Sequence, residues 1–254
     1  MNMNNTFDGS RSLVVSQFGY EKKPATVLQS PFSPAITISQ LTGSGAHDIA
    51  ERTAEIMQQS ETDRTAQWKL FDRELVQKAL DEHHLPARLA KYMPEDRRSY
   101  VDDVLDEMFG LRPPSWVLVP QVAETILHLV QQGHVIVVGR GATAIAAKLP
   151  GVFHVRLVAS LPGRIERVRK LLGLSPQDAI KFIRKEDRGS RRYAQAYFHT
   201  SINDDLLYHL VINTDRIPYG DAAMLIASEA RRNFQRHGNV RVPASIAFAD
   251  THTA

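Results

Sequence analysis

Five short runs of apolar, largely β-branched residues, at 35–40, 68–71, 135–138, 153–158 and 210–212, alternate with stretches of helical spacing, and this restricts the chain to few architectures. Runs such as Val135-Ile136-Val137-Val138 are continuous rather than alternating, which calls for strands buried on both faces. The expectation is an α/β fold with a five-stranded parallel sheet and helices on both faces. In such sheets ligands bind beyond the carboxyl ends of the strands, where loops and helix N-termini converge. The informative residues sit at those ends. Thr42 to Asp48 follow the first strand, Asp72 and Arg73 the second, Gly139, Arg140 and Gly141 the third, and Asn213 to Asp215 the last.

The first of these segments, Thr42-Gly43-Ser44-Gly45-Ala46-His47-Asp48, joins a strand to a helix whose apolar face is Ile49, Ala50, Thr53, Ala54, Ile56 and Met57. Glycines at 43 and 45 allow a tight turn that aims successive N–H groups into one concavity, where the helix dipole also favours an anion. A full Walker A pattern would put glycine at 40, lysine at 46 and a hydroxyl beyond it. The chain has Gln40, Ala46, His47 and Asp48 there. Locally the segment reads either as a phosphate-binding loop or as an ordinary glycine turn.

Residues 1–34 carry Asn, Ser, Gly and three prolines without periodicity and are expected as a flexible arm; a flexible tail is expected at 235–254. Between them lies one domain over 35–234, with a mostly helical insertion at 74–118. Cysteine is absent, which removes disulfides, thiolate metal sites and cysteine nucleophiles and suits a cytoplasmic protein. No apolar stretch reaches the length of a membrane span, and the first residues lack the apolar core of a signal peptide. The adjacent His83-His84 pair and the lack of a His-Glu-x-x-His run speak against a zinc site.

The formal charge is only +3, yet ten Lys and Arg against four acids fall between Ser160 and Gln195. Such a patch fits a polyphosphate ligand or a solvated helix face. Arg188 and Arg192, four apart, share one helical side, where like charges cost a little stability unless an anion joins them. The patch lacks a dense aromatic platform, so nucleic acid is disfavoured as a partner despite Tyr193, Tyr197 and Phe198.

Taken in order, Ile36-Thr37-Ile38-Ser39 with Gly43-Ser44-Gly45, Phe71-Asp72-Arg73-Glu74, Val137-Val138-Gly139-Arg140-Gly141, Lys185-Glu186-Asp187-Arg188 with Arg191-Arg192-Tyr193, and Val211-Ile212-Asn213-Thr214-Asp215 make the chain resemble the cytidylate kinase-like family of P-loop nucleoside monophosphate kinases. The resemblance spans about residues 36–230. It implies a P-loop NTPase fold and ATP-dependent phosphoryl transfer to a nucleoside monophosphate, CMP foremost, with magnesium. A non-catalytic nucleotide-binding sensor or partner protein on the same fold is the alternative. By resemblance, the loop Thr42, Gly43, Ser44, Gly45, Ala46, His47, Asp48 would hold the ATP phosphates, Asp48 standing near magnesium. Asp72, Arg73, Gly139, Arg140 and Gly141 would bind the acceptor, with 74–118 as an acceptor-binding flap. Arg188 and Arg192, in a mobile lid over 184–200, would close on the donor phosphates, and Asp187 would orient an arginine or a metal-bound water. Relatives have a Gly-Ser-Gly-Gly-Arg-Glu type of loop, also without lysine, and a Gly-Arg-Asp run where this chain has Gly139-Arg140-Gly141. From the residues alone, Asp72 reads equally as a helix N-cap, and Asn213-Thr214-Asp215 as an ordinary turn.

Overall fold

The structure, a computed structural model, describes residues 34–61, 66–72 and 115–238. The expected arm up to residue 33, Arg73, residues 74–114 of the insertion and the tail beyond 238 lie outside the described residues.

Five strands, β1 (Ala35–Gln40), β2 (Lys69–Phe71), β3 (Val135–Val138), β4 (Val152–Val158) and β5 (Leu210–Asn213), form one sheet in the order β2-β3-β1-β4-β5. Every adjacent pair is parallel. The central strand β1 is buried on both faces at residues 35–38, with Ile36 and Ile38 turned to one layer and the buried hydroxyl of Thr37 to the other.

Helices α1 (Ala46–Gln59) and α6 (Tyr219–Gly238) cover one face. There Ile36, Ile38, Ile49, Val155, Leu157, Ile212 and Ile226 form the larger apolar cluster. Helices α2 (Ser115–Gln132) and α3 (Ala142–Ala146) cover the other, packing Val122, Ile126 and Leu129 against Ala35, Val135, Val137 and Val152. Two further helices, α4 (Leu161–Leu172) and α5 (Pro176–Phe198), join β4 to the 3-10 turn at Asp205–Leu207. Ser160 and Ser175 cap them through backbone N–H groups of Gly163 and Asp178, each with a proline in the first turn. A small apolar cluster of Val168, Ala179 and Ile183 locks α4 to α5.

Several boundaries differ from expectation. Trp68 stands before β2 rather than in it, its indole stacked on Phe234 at 6.3 Å. The five-residue α3 is too short to announce itself by periodicity. The last helix continues through Gly238, past the point where the tail was expected to begin. Residues 184–200 are the second half of α5 plus two residues, so within this structure the expected lid continues an unbroken 23-residue helix. Among the described residues, no helix is long and apolar enough to cross a membrane.

Candidate active site

The turn after β1 is held at nearly every peptide. Ser44 N–H donates to Leu41 O at 3.0 Å, and Gly43 and Gly45 both have φ of +84°. Neither glycine can be replaced without displacement. A Cβ at 43 would lie 2.9 Å from Val168 and 3.0 Å from the Arg164 carbonyl, and one at 45 would overlap the Tyr219 ring at 2.2 Å. Gly45 begins α1 with no side chain capping the helix. Free N-terminal amides of this kind suit an oxyanion.

From below, α4 and α5 grip the same turn. Arg164 Nη1 donates to Thr42 O at 3.2 Å and to Asp187 Oδ2 at 2.6 Å, while Thr42 N–H donates to Asp187 Oδ1 at 2.9 Å. Both charged side chains are buried. Arg167 donates from Nε to Gly43 O at 2.8 Å and from Nη2 to Asp215 Oδ1 at 2.8 Å. Asp215 also accepts from Ser160 N–H at 2.5 Å, and its bonds to Ser160 hold the carboxyl below the usual range. Asp187, expected among the catalytic residues, is instead buried beneath the turn, where it holds Arg164 and the Thr42 amide and does not line the cavity.

On the other side of β1, Gly139, Arg140 and Gly141 all adopt left-handed backbone, with φ of 74°, 55° and 72°. An arginine in that region is strained, and such strain concentrates at functional sites. Gly139 N–H donates to Ile38 O and Ala142 N–H to Gly139 O, both at 3.0 Å, tying the turn to β1 and starting α3. A Cβ at 141 would meet the Phe198 ring at 2.5 Å. That contact and the positive φ both favour glycine at this position.

The two turns face a common cavity of about 590 Å³. Thr42, Gly43, Gly45, Ala46, His47 and Asp48 line it from one side, and Gly139, Arg140 and Gly141 from another. Ser44 is buried beneath the turn and stays out of the wall. Asp72 also reaches the cavity, where its Oδ2 lies 3.0 Å from Nδ1 of His47. Phe182, Glu186, Ser190 and Tyr193 close it from α5.

The expectation that Arg188 and Arg192 face the phosphates is not met in this structure: both are exposed, and neither lines the cavity. The reason is helical phase. The buried side of α5 is set by Ala179, Ile183, Asp187 and Ala194, which turns residues 186, 190 and 193 to the cavity and 188 and 192 away from it. Asp48 stands exposed in the first turn of α1, on the cavity rim. Among the described residues, no three His, Cys, Asp or Glu side chains group as a metal cage.

Sequence reasoning passed over Arg164, Arg167, Arg156 and His154. His154 is buried, its Nδ1 2.7 Å from Thr37 Oγ1, which is 3.0 Å from Thr143 Oγ1 on the cavity wall. His154, Thr37 and Thr143 thus form one buried polar chain that reaches the cavity wall. Burial, with His209 nearby, lowers the His154 pKa to about 4, and the imidazole is neutral at pH 7. The signal in the sequence was polar residues at 154 and 156, two apart in an otherwise apolar strand.

A crystal structure of an uncharacterized protein from Eubacterium ventriosum is similar over 78% of this chain and 98% of that one, with 17% identity and a TM-score of 0.56. Shikimate kinase from Bacteroides thetaiotaomicron aligns over 80% of this chain and 95% of its own, at 14% identity and a TM-score of 0.42. Uronate isomerase from Corynebacterium glutamicum is 31% identical over 117 residues, which are 46% of this chain; the chain spans about a fifth of that relative's length, 22%. The model of the cytidylate kinase-like family matches residues 35–216, from the first residue of β1 to just past Asp215. That interval holds all five strands, the glycine turn and the Gly139-Arg140-Gly141 turn, and the fold is of the P-loop kinase type. The chain belongs to the cytidylate kinase-like family.

Proposed function

We propose that the protein transfers the γ-phosphoryl group of ATP to a nucleoside monophosphate, with CMP as the leading acceptor. The observation that carries this reading is the shared cavity. An uncapped helix N-terminus with two left-handed glycines and a strained arginine between two more glycines face one space of about 590 Å³. Phosphoryl transfer asks mainly for alignment and charge stabilisation, which such an arrangement supplies.

In this mechanism the 42–48 turn cradles the donor phosphates with its amides. Arg140 offers a planar fork to the acceptor phosphate. An acceptor phosphate oxygen attacks the γ-phosphorus as the bond to the β–γ bridging oxygen breaks, and ADP leaves with that electron pair. A monophosphate is already anionic, so no base has to remove a proton first. Magnesium fits as an ion carried on the phosphates, because it keeps most of its waters and takes one or two carboxylates, here Asp48 or Asp72 at the rim. When bound it neutralises charge on the transferred group. The protein's own residues fix the turn (Arg164, Arg167, Asp187) and exclude water from above (Phe182, Tyr193).

The second reading is a nucleotide-binding protein without turnover. Ala46 at the lysine position and the outward arginines at 188 and 192 favour it. Purified protein with ATP, magnesium and a panel of nucleoside monophosphates separates the two. ADP formed in step with a consumed acceptor supports the kinase. Saturable ATP binding without transfer to any acceptor supports the sensor.

A further inference from the structure

Arg156 is 3% exposed, on a strand of the central sheet, and no carboxylate among the described residues pairs with it. Its partners are neutral. Nη1 donates to Ser39 Oγ at 2.6 Å, Nη2 reaches Asn203 Oδ1 only at 3.5 Å, and the guanidinium stands 5.9 Å from the centre of the Tyr208 ring. Asp187 is the acid whose charge Arg156 feels, and it is already bound to Arg164 and to Thr42 N–H. Arg164 and Arg191 add like charge near Arg156, while the one carboxylate it feels is bonded to Arg164. Burying a cation without a counter-ion is expensive.

Its position says what could compensate it. Ser39, its register partner on β1, lines the cavity, as do Ile202 and Tyr208, which bond to one another through the Tyr208 hydroxyl. Along β4, Phe153, Val155 and Leu157 point into the α1 and α6 cluster, so Arg156 projects to the face that carries α2, α3 and the Arg140 turn. The cation therefore sits one hydroxyl behind the cavity wall, on the β4 side of β1, across that strand from the Arg140 turn that follows β3.

We propose that Arg156, acting with Ser39, anchors an oxyanion subsite on this face, and that the acceptor's phosphate is its counter-ion. The word acceptor rests on the kinase reading; the anion subsite does not. Arg140, across β1, would be its opposite jaw on the same phosphate.

The test is calorimetric titration of inorganic phosphate, CMP and ATP into the full chain and its Arg156→Met, Arg156→Lys and Ser39→Ala variants, with thermal midpoints to establish folding. The expected result is about tenfold or greater weakening of phosphate and CMP in Arg156→Met, partial recovery in Arg156→Lys, and ATP affinity within about twofold of the parent, because the lost contact lies off the donor turn. If Arg156→Met does not fold, Ser39→Ala and Arg156→Lys carry the test, each expected to weaken phosphate several-fold. Unchanged phosphate affinity in the folded variants, or equal loss of ATP, overturns the subsite. Phosphate binding that follows Arg156 while no acceptor yields ADP leaves the subsite standing and removes the kinase. ADP formation from CMP with an unchanged KM in Arg156→Lys and Ser39→Ala does the reverse.

Discussion

The two faces of the sheet are built differently at their carboxyl ends. Toward α1 and α6 the side chains stay apolar to the last turn, with Ile38, Val138, Leu157 and Ile212 in one cluster. Toward α2, α3 and α5 the same strands present Thr37, Ser39, His154 and Arg156, all but Ser39 fully buried. Strand period explains how one segment serves both ends, since alternate residues along β1 and β4 face opposite layers. The apolar face is core, whereas the polar face borders the cavity of the proposed site, and substitutions on the two should fail in different ways.

The largest expected effect is at the buried ion pair beneath the glycine turn. Asp187→Ala leaves Arg164 buried without its carboxylate and should cost about 3–5 kcal/mol, read as a lower urea midpoint with little change in slope. Asp187→Asn, which keeps an acceptor for Thr42 N–H, should lose less. Equal stability of Asp187→Ala and the parent would show that the clamp contributes nothing.

Acidification probes the polar face. The folded-state pKa of His154 lies near 4, below its unfolded value of 6.5, so the unfolded chain binds the proton more readily in that interval. Stability is fully present above pH 6.5, falls as the pH drops toward 4, and loses at most about 3 kcal/mol through this group. His154→Gln should flatten the slope of unfolding free energy against pH between 6.5 and 4. A slope that survives unchanged assigns the effect elsewhere.

Arg140→Ala removes a charge-assisted fork while keeping the Cβ, and with it the left-handed strain at this position. It should lower kcat/KM for the acceptor by a factor of roughly 30–100, equivalent to about 2–3 kcal/mol, while leaving ATP affinity nearly unchanged. A parallel fall in ATP affinity would break the division between the donor turn and the Arg140 side.

The smallest effect is expected at the cap of α4. Ser160→Ala deletes the oxygen that accepts from Gly163 N–H and should cost about 1 kcal/mol in stability. Because α4 carries Arg164 and Arg167 to the turn, KM for ATP should rise slightly while KM for the acceptor holds.

The strands were legible because β3 is a continuous apolar run and the others are short, β-branched or apolar-rich segments between helical spacings, and the turns because glycine marks positions that need positive φ; Gly43, Gly45, Gly139 and Gly141 all have it. Arg140 and the 42–48 turn were recognisable since their place at strand ends is local information. What stayed hidden depends on phase and distance. The spacing of Arg188 and Arg192 establishes that they share a helix side, but only the apolar phase at Ala179, Ile183 and Ala194 says which side faces in. Arg164 and Arg167 meet the turn across more than 120 positions of sequence, a contact no local pattern encodes. Asp187 was expected beside an arginine, whereas its bond to the Thr42 amide emerges only from how α5 packs.

Helix α6 joins two ends of the molecule. Its first residue, Tyr219, rests against Gly45, and Phe234, fifteen positions on and about 22 Å along the axis, stacks on Trp68. A ligand that spreads the glycine turn must push on the phenol and so tilt a rigid rod whose far end touches an indole. The protein carries its own optical lever: with the other tryptophan removed as Trp116→Phe, emission from Trp68 should report occupancy of the glycine turn without any attached dye, and in Tyr219→Ala the same titration should fall silent.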